Sequence, residues 1–269
     1  MPQESALITI MTRAARRAAR GLVRDFGEVE QLQVSRKGPA DFVSQADLKA
    51  EQTIREELER ARPDFGFLME ESGAAKSGDG RHRFIVDPLD GTTNFLHGLP
   101  HFAVSIGVER DGELIAGVVY EPIHDEMFWA EKGQGAYLNQ RRLRVSGRRQ
   151  MRDALIATGM PFMGKGSDQG HQRFLGELGA VMAQVAGVRR WGAAALDLAY
   201  VAAGRFDGFW GRHLSPWDVA AGIVLVREAG GFVSEIEGGA NMLNSGSIVA
   251  SNDQLHQELG QILRQPTAR

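Results

Sequence analysis

The chain has no cysteine, so disulfides, thiolate zinc sites and cysteine nucleophiles are all excluded; any bound metal must rely on oxygen or histidine. That absence suits a reducing compartment, and a cytoplasmic location is expected. No long uncharged apolar run is present, and no signal-peptide architecture, so a soluble protein without a membrane role is expected. Charge of neither sign dominates: 31 basic against 34 acidic residues leave a net of -3 and no surface-wide reason to bind nucleic acid. The seven histidines show no HExxH or other zinc spacing, so His97, His101 and His213 read as loop or packing residues, with a reservation for His97 and His213 because acids lie close by. There is no repeat, low-complexity tract or long linker.

What is present is a periodic, layered pattern. Leu7, Met11, Ala14 or Ala15, Ala18 and Leu22 recur at helical spacing, which favours an amphipathic first helix over an arginine-rich transit peptide. Ala50, Ile54, Leu58 and Ala61 mark a second helix, with Ser44 as its expected cap and Asp47 in its first turn. Residues 74–83 lack periodicity and read as a mobile loop. From Phe102 to Val145 the pattern is an antiparallel meander, after which strands and helices alternate to the end. The fold class expected is α+β in layers: one domain over residues 1–269, with approximate lobes 1–150 (meander) and 151–269 (α/β).

The run "FIVDPLDGTTNF", Phe84 to Phe95, carries the chemistry. Phe84-Ile85-Val86 suits a buried strand that Pro88 and Gly91 are expected to end, leaving Asp87 and Asp90 in a turn. Two carboxylates this close repel unless a cation or shared proton neutralises them, and a hard divalent ion bound by oxygens answers that need. The Leu89 carbonyl lies between them as a further oxygen. If Gly91-Thr92-Thr93 opens a helix, its free amides form a phosphate cradle. Metal oxygens beside anion-binding amides imply metal-assisted chemistry on a phosphate. Glu70 and Asp218 stand in similar settings. Each acid also has a plain alternative: Glu70 as a solvated loop charge, Asp87 and Asp90 as caps of the following helix, Asp218 as a first-turn acid.

Rival motifs fail. "GMPFMGKG", Gly159 to Gly166, places Gly166 where a P-loop needs Ser or Thr, and "AVSIG" around Ser105 lacks the first glycine of a nucleophile elbow and sits in the meander.

"MEESG", "DPLDGTTNF" and "PWDVAAGIVLVREAGG", in that order, resemble the inositol monophosphatase family, including its bacterial SuhB-type members. "DFVSQAD" fits the early D-x-V-T-x-x-D element, with Ser44 in place of the common Thr. The resemblance spans nearly the whole chain. It implies a layered αβαβα sandwich, a magnesium-dependent, lithium-sensitive phosphatase acting on a small phosphomonoester, and usually a homodimer. By matching position, it implies metal ligands at Glu70, Asp87, the Leu89 carbonyl, Asp90 and Asp218, and phosphate contacts at Gly91 and Thr92. Glu70, Thr92 and Asp47 would activate water. Asp90, Gly192, Ala193, Ala194 and Asp218 would contact the substrate. One departure stands out: Gly211 occupies the place where inositol-specific members carry a Glu that bonds a ring hydroxyl. Histidinol phosphate, fructose 1,6-bisphosphate and adenosine 3',5'-bisphosphate are alternative substrates, and SuhB-type relatives imply a further possibility of transcription-machinery or RNA association.

Overall fold

The computed structural model describes residues 4–28, 34–38, 41–76, 78–161 and 167–265, with 34–38 and 41–44 described through their backbone. The Ser44 side-chain cap and residues 162–166 of the P-loop-like run lie outside the described residues. Helix α1 (Ala6–Phe26) starts where the Ser5 hydroxyl accepts the Ile8 amide, and buries Met11, Ala14, Ala15, Ala18 and Leu22, with Ile8 rather than Leu7 closing the face. The hairpin β1 (Val34–Gly38) and β2 (Asp41–Ser44) leads into α2 (Gln45–Ala61), which buries Ala50, Ile54 and Leu58. Then come β3 (Gly66–Met69), β4 (Gly73–Ala75), β5 (His82–Asp90), the short α3 (Thr92–Leu96), β6 (Ala103–Arg110), β7 (Glu113–Glu121), β8 (Glu126–Glu131), β9 (Gly135–Leu138) and β10 (Arg141–Arg142). The second half runs β11 (Leu155–Thr158), α4 (Asp168–Met182), β12 (Gly187–Arg189), α5 (Ala194–Ala202), β13 (Gly208–Gly211), α6 (Pro216–Glu228), β14 (Phe232–Ser234), α7 (Met242–Ser245), β15 (Ile248–Ser251) and α8 (Asp253–Arg264).

Among the described residues, one large sheet has the order β10-β9-β8-β7-β6-β5-β3-β4 and a second has the order β12-β11-β13-β15-β14. Period-two alternation sorts their side chains into separate cores. On β7, Ala116 and Val118 face α1 and α2, while Val119 faces the layer of α5 and α6. On β15, Ile248 and Ala250 face that same middle layer, while Val249 faces α4 and α8. The result is the αβαβα sandwich that the family resemblance implies. Among the described residues no helix is long and apolar enough to cross a membrane.

Two expectations are corrected. Strand β5 does not stop before Asp87 but runs on through Pro88 to Asp90. Asp87 pairs with Ser105 and Asp90 with Ala103, so β5 carries one more residue than β6 across that interval. Such a bulge is where a sheet accepts a proline, and it re-aims the flanking side chains. The supposed loop 74–83 is shortened at both ends, because Gly73–Ala75 pairs with β3 as an edge strand and His82 and Arg83 belong to β5. Backbone pairing at an edge needs no apolar periodicity, so no residue pattern announces it.

Helix α6 lies close against β6 and β7 because glycines face it. A Cβ on Gly107 would stand 2.8 Å from the Ala220 Cβ, and one on Gly117 would stand 2.5 Å from the Ala221 carbonyl oxygen. Backbone oxygen cannot swing aside as a side chain can. Gly117→Ala is therefore expected to lower stability by about 1–3 kcal/mol through overpacking, read from the urea midpoint at unchanged slope. An unshifted midpoint would refute this account of the packing.

Candidate active site

Strands β3 and β5 are parallel, with Met69 opposite Val86, so Glu70, just past the end of β3, comes beside Asp87 of β5. The Glu70 amide donates to the Val86 carbonyl at 3.2 Å, tying the two chains together at that point. From α2, the buried Glu51 carboxylate accepts the amides of Glu71 at 2.8 Å and Ser72 at 2.9 Å and so fixes the turn that carries Glu70. Sequence reasoning missed Glu51, although its spacing to Ile54 and Leu58 puts an acid on the apolar face of α2.

Asp87 and Asp90 are both buried, and neither caps α3. The Asp87 Oδ1 atom accepts the Leu89 amide at 3.0 Å, and Asp90 Oδ2 accepts the Ala195 amide at 2.7 Å, in the first turn of α5. Gly91 precedes α3 with φ of 94°, and a Cβ there would stand 2.9 Å from the His101 carbonyl oxygen, so glycine is required. Asp218 is a first-turn acid of α6, as its plain reading held, and its Oδ2 accepts the Ser215 amide at 2.8 Å. The Thr92 hydroxyl donates to the Leu89 carbonyl at 2.9 Å and lies 3.5 Å from Asp47 Oδ2. Carboxylate oxygens of Asp47, Glu70 and Glu71 gather within 4.8 Å of one another, an arrangement able to hold a metal ion, and it adds Glu71 to the acids singled out by sequence.

Crowding has an electrostatic cost. Burial raises the Asp87 carboxyl well above the ordinary range, and Glu70, Asp90, Asp218 and Asp47 push it further. Asp90 is also raised well above its usual value, by burial and by Asp218, against the lowering effect of the Ala195 amide. Asp197, in α5, is raised by burial and by Asp90, and its Oδ1 is buried without a hydrogen-bond partner. Sequence reasoning passed over Asp197, whose one signal is an acid inside the apolar run "AALDLAY". Hard divalent cations favour all-oxygen donors, so this carboxylate set fits one well.

The acids open on a cleft of about 610 Å³, large enough for a phosphate and a small alcohol. Gly192, Ala193 and Ala194 line it, held in place by Asn94, whose Nδ2 donates to the carbonyls of His101 and Trp191 at 2.8 Å each. The two reserved histidines separate: His213 lines the cleft, whereas His97 is exposed at the end of α3. His101 is a packing residue against Trp191 and Tyr200, its pKa lowered to about 4 by burial and by His124. Ser105 is buried within β6 and donates to the Trp217 carbonyl, which is no place for a nucleophile elbow.

A layered αβαβα sandwich with carboxylates converging on one cleft defines the class as metal-dependent phosphatases. A model of the inositol monophosphatase family matches residues 3–267, and the chain belongs to that family. An inositol-1-monophosphatase of Mesorhizobium japonicum is 59% identical over 262 residues, 97% of each chain. The Nus factor SuhB of Pseudomonas aeruginosa is 46% identical over 255 residues, 94% of each chain. The crystal structure of the extragenic suppressor protein suhB from Bartonella henselae matches with a TM-score of 0.93 at 58% identity, covering 97% of this chain and 99% of that one.

The raised carboxyls set a pH dependence. Between the ordinary carboxylate range and the raised folded values of Asp87 and Asp90, the folded state holds more protons than the unfolded state, so metal-free stability falls as pH rises through that window. Thermal midpoints in chelator are expected to drop across it, and an added divalent cation to restore them most at the upper end. Midpoints indifferent to both pH and cation would contradict this reading.

Proposed function

We propose that the chain is a magnesium-dependent phosphomonoesterase that hydrolyses myo-inositol monophosphate to inositol and phosphate. The observation that carries this reading is the convergence of Glu70, Asp87, Asp90 and Asp218 beside the backbone of Gly91 and Thr92. Glu70, Asp87, the Leu89 carbonyl, Asp90 and Asp218 would hold the metal. Magnesium, when bound, supplies charge neutralisation for the phosphate and makes a water acidic enough to ionise near neutral pH.

The chain's own groups do the rest. Amides at Gly91 and Thr92 hold the phosphate oxygens, while Gly192, Ala193 and Ala194 bound the alcohol. The Thr92 hydroxyl has a single proton and two acceptors within reach, the Leu89 carbonyl and Asp47 Oδ2. Donating it to Asp47 frees the Leu89 oxygen and leaves Thr92 Oγ1 to accept a hydrogen bond from the attacking water, with Glu70 taking the proton. Water enters in line with the ester bond, which would break as the new P–O bond forms, the leaving oxygen taking a proton from solvent to depart as inositol; no covalent phosphoenzyme is needed. We further propose one domain over the whole chain, a homodimer, lithium sensitivity and a cytoplasmic location.

A second reading, association with transcription machinery or RNA, is favoured by the similarity to the Pseudomonas Nus factor. The arginines of α1 lend it little support, since Arg13 and Arg17 pair with Glu57 and Arg16 pairs with Asp125. Polymerase or RNA binding that survives Asp90→Asn would establish it as a role separate from catalysis.

Phosphate release with magnesium, with and without lithium, tests the main reading on inositol 1-phosphate, histidinol phosphate, fructose 1,6-bisphosphate and adenosine 3',5'-bisphosphate. Inositol 1-phosphate is expected to be preferred, and Asp90→Asn to lose roughly 100-fold or more of the activity while remaining folded, as removal of a metal-site carboxylate should. Preference for another phosphate would keep the chemistry and change the substrate; wild-type turnover by Asp90→Asn at saturating magnesium would overturn the site assignment.

A further inference from the structure

Position 211 has no side chain, and its space is occupied: a Cβ there would stand 2.6 Å from Leu214 Cδ1. The cleft wall facing away from the acids must therefore find its polar contacts elsewhere. The next residue, Arg212, lines the cleft and is held from behind. Oε1 of the fully buried Glu177, from α4, accepts Arg212 Nε at 2.8 Å and Arg173 Nε at 3.1 Å. Glu237 Oε1 accepts Nη2 of Arg212 at 3.3 Å and Nη2 of Arg173 at 2.5 Å. Among the described residues, Arg212 Nη1 makes no hydrogen bond. Glu177 Oε2 and Trp210 Nε1, on two further lining residues, are buried without partners.

We infer that Arg212, clamped by Glu177 and Glu237, is a specificity-determining residue that donates from Nη1 to a hydroxyl of a neutral polyol leaving group. The inference rests on the phosphatase reading and deepens it. With phosphate placed at the acids and at Gly91 and Thr92, the alcohol must occupy the remainder of the same cleft, which this wall closes. The charges choose between ligands. Two guanidiniums, of Arg173 and Arg212, face two carboxylates, of Glu177 and Glu237. The two guanidiniums of this wall are thus balanced, which leaves donors for a hydroxyl oxygen but no surplus charge there for a second phosphate.

The test compares kcat/KM for inositol 1-phosphate, phenyl phosphate and fructose 1,6-bisphosphate on wild type, Arg212→Met and Arg212→Lys. Ratios between substrates on one preparation do not depend on how much of it is folded. Arg212→Lys keeps the charge opposite Glu177 while removing the guanidinium fork. Both variants are expected to lower the ratio of inositol 1-phosphate to phenyl phosphate by about tenfold or more, mainly through KM. An unchanged ratio in both overturns the inference alone, as does a greater loss on the bisphosphate than on inositol 1-phosphate. A wild type that hydrolyses none of the three removes the phosphatase reading and the inference with it.

Discussion

Negative charge repels negative charge, and this structure gathers its acids where water is scarce. Asp87 and Asp90 are buried, Glu70 and Asp218 act on them, and Asp47 adds to the field at Asp87. Such a cluster persists only if the scaffold holds each carboxylate from a separate direction. Parallel pairing of β3 with β5 supplies one hold, the bulge at Pro88 a second, and α6 seated on Gly107 and Gly117 a third. Glu51 reinforces the first by closing the turn after β3. The layers of the sandwich are, in this sense, the brace for one electrostatic strain, which a bound divalent cation would relieve.

The carboxylates also show that capping and function are not competing explanations. Asp218 caps its own helix and lies in the cleft. Asp90 caps a helix too, but α5, which begins more than a hundred residues away in sequence. One of its oxygens is thereby committed to orienting the carboxylate toward the other acids. A backbone amide at a helix start suits this task because it favours the ionised form, which offsets part of what burial costs.

How much of this was legible follows from the range of each interaction. The helical faces of α1 and α2, the meander from β6 to β9 and the alternation after Leu155 depend on neighbours within a few residues, and sequence periodicity reported them. The run from Asp87 to Thr92 was legible because its chemistry is local. The bulge was not, since Pro88 ends a strand by local rules and is tolerated only where the partner strand permits an extra residue. Edge strand β4, the contact of Asp90 with α5 and the place of Glu71 beside Asp47 all depend on pairing between distant segments. Glu51 and Asp197 were the near misses: each is an acid on an apolar helical pattern, a signal present in the sequence that points to a buried partner without naming it.

The cleft divides its labour between halves of the chain. Asp47, Glu70, Glu71, Asp87 and Asp90 come from α2, the turn after β3 and β5, Asp197 and Asp218 from α5 and α6, while the far wall comes from α4 and from the residues after β13. Asp218 is held in place by the packing of α6 against the first sheet. Changes at Gly211, Arg212 or Glu177 can therefore alter what is recognised without moving the carboxylates near Asp87. On the proposed reading this division would let the alcohol wall change while the chemistry stays fixed, and the missing side chain at 211 would be answered within the wall by Arg212, whose charge Glu177 and Glu237 already balance.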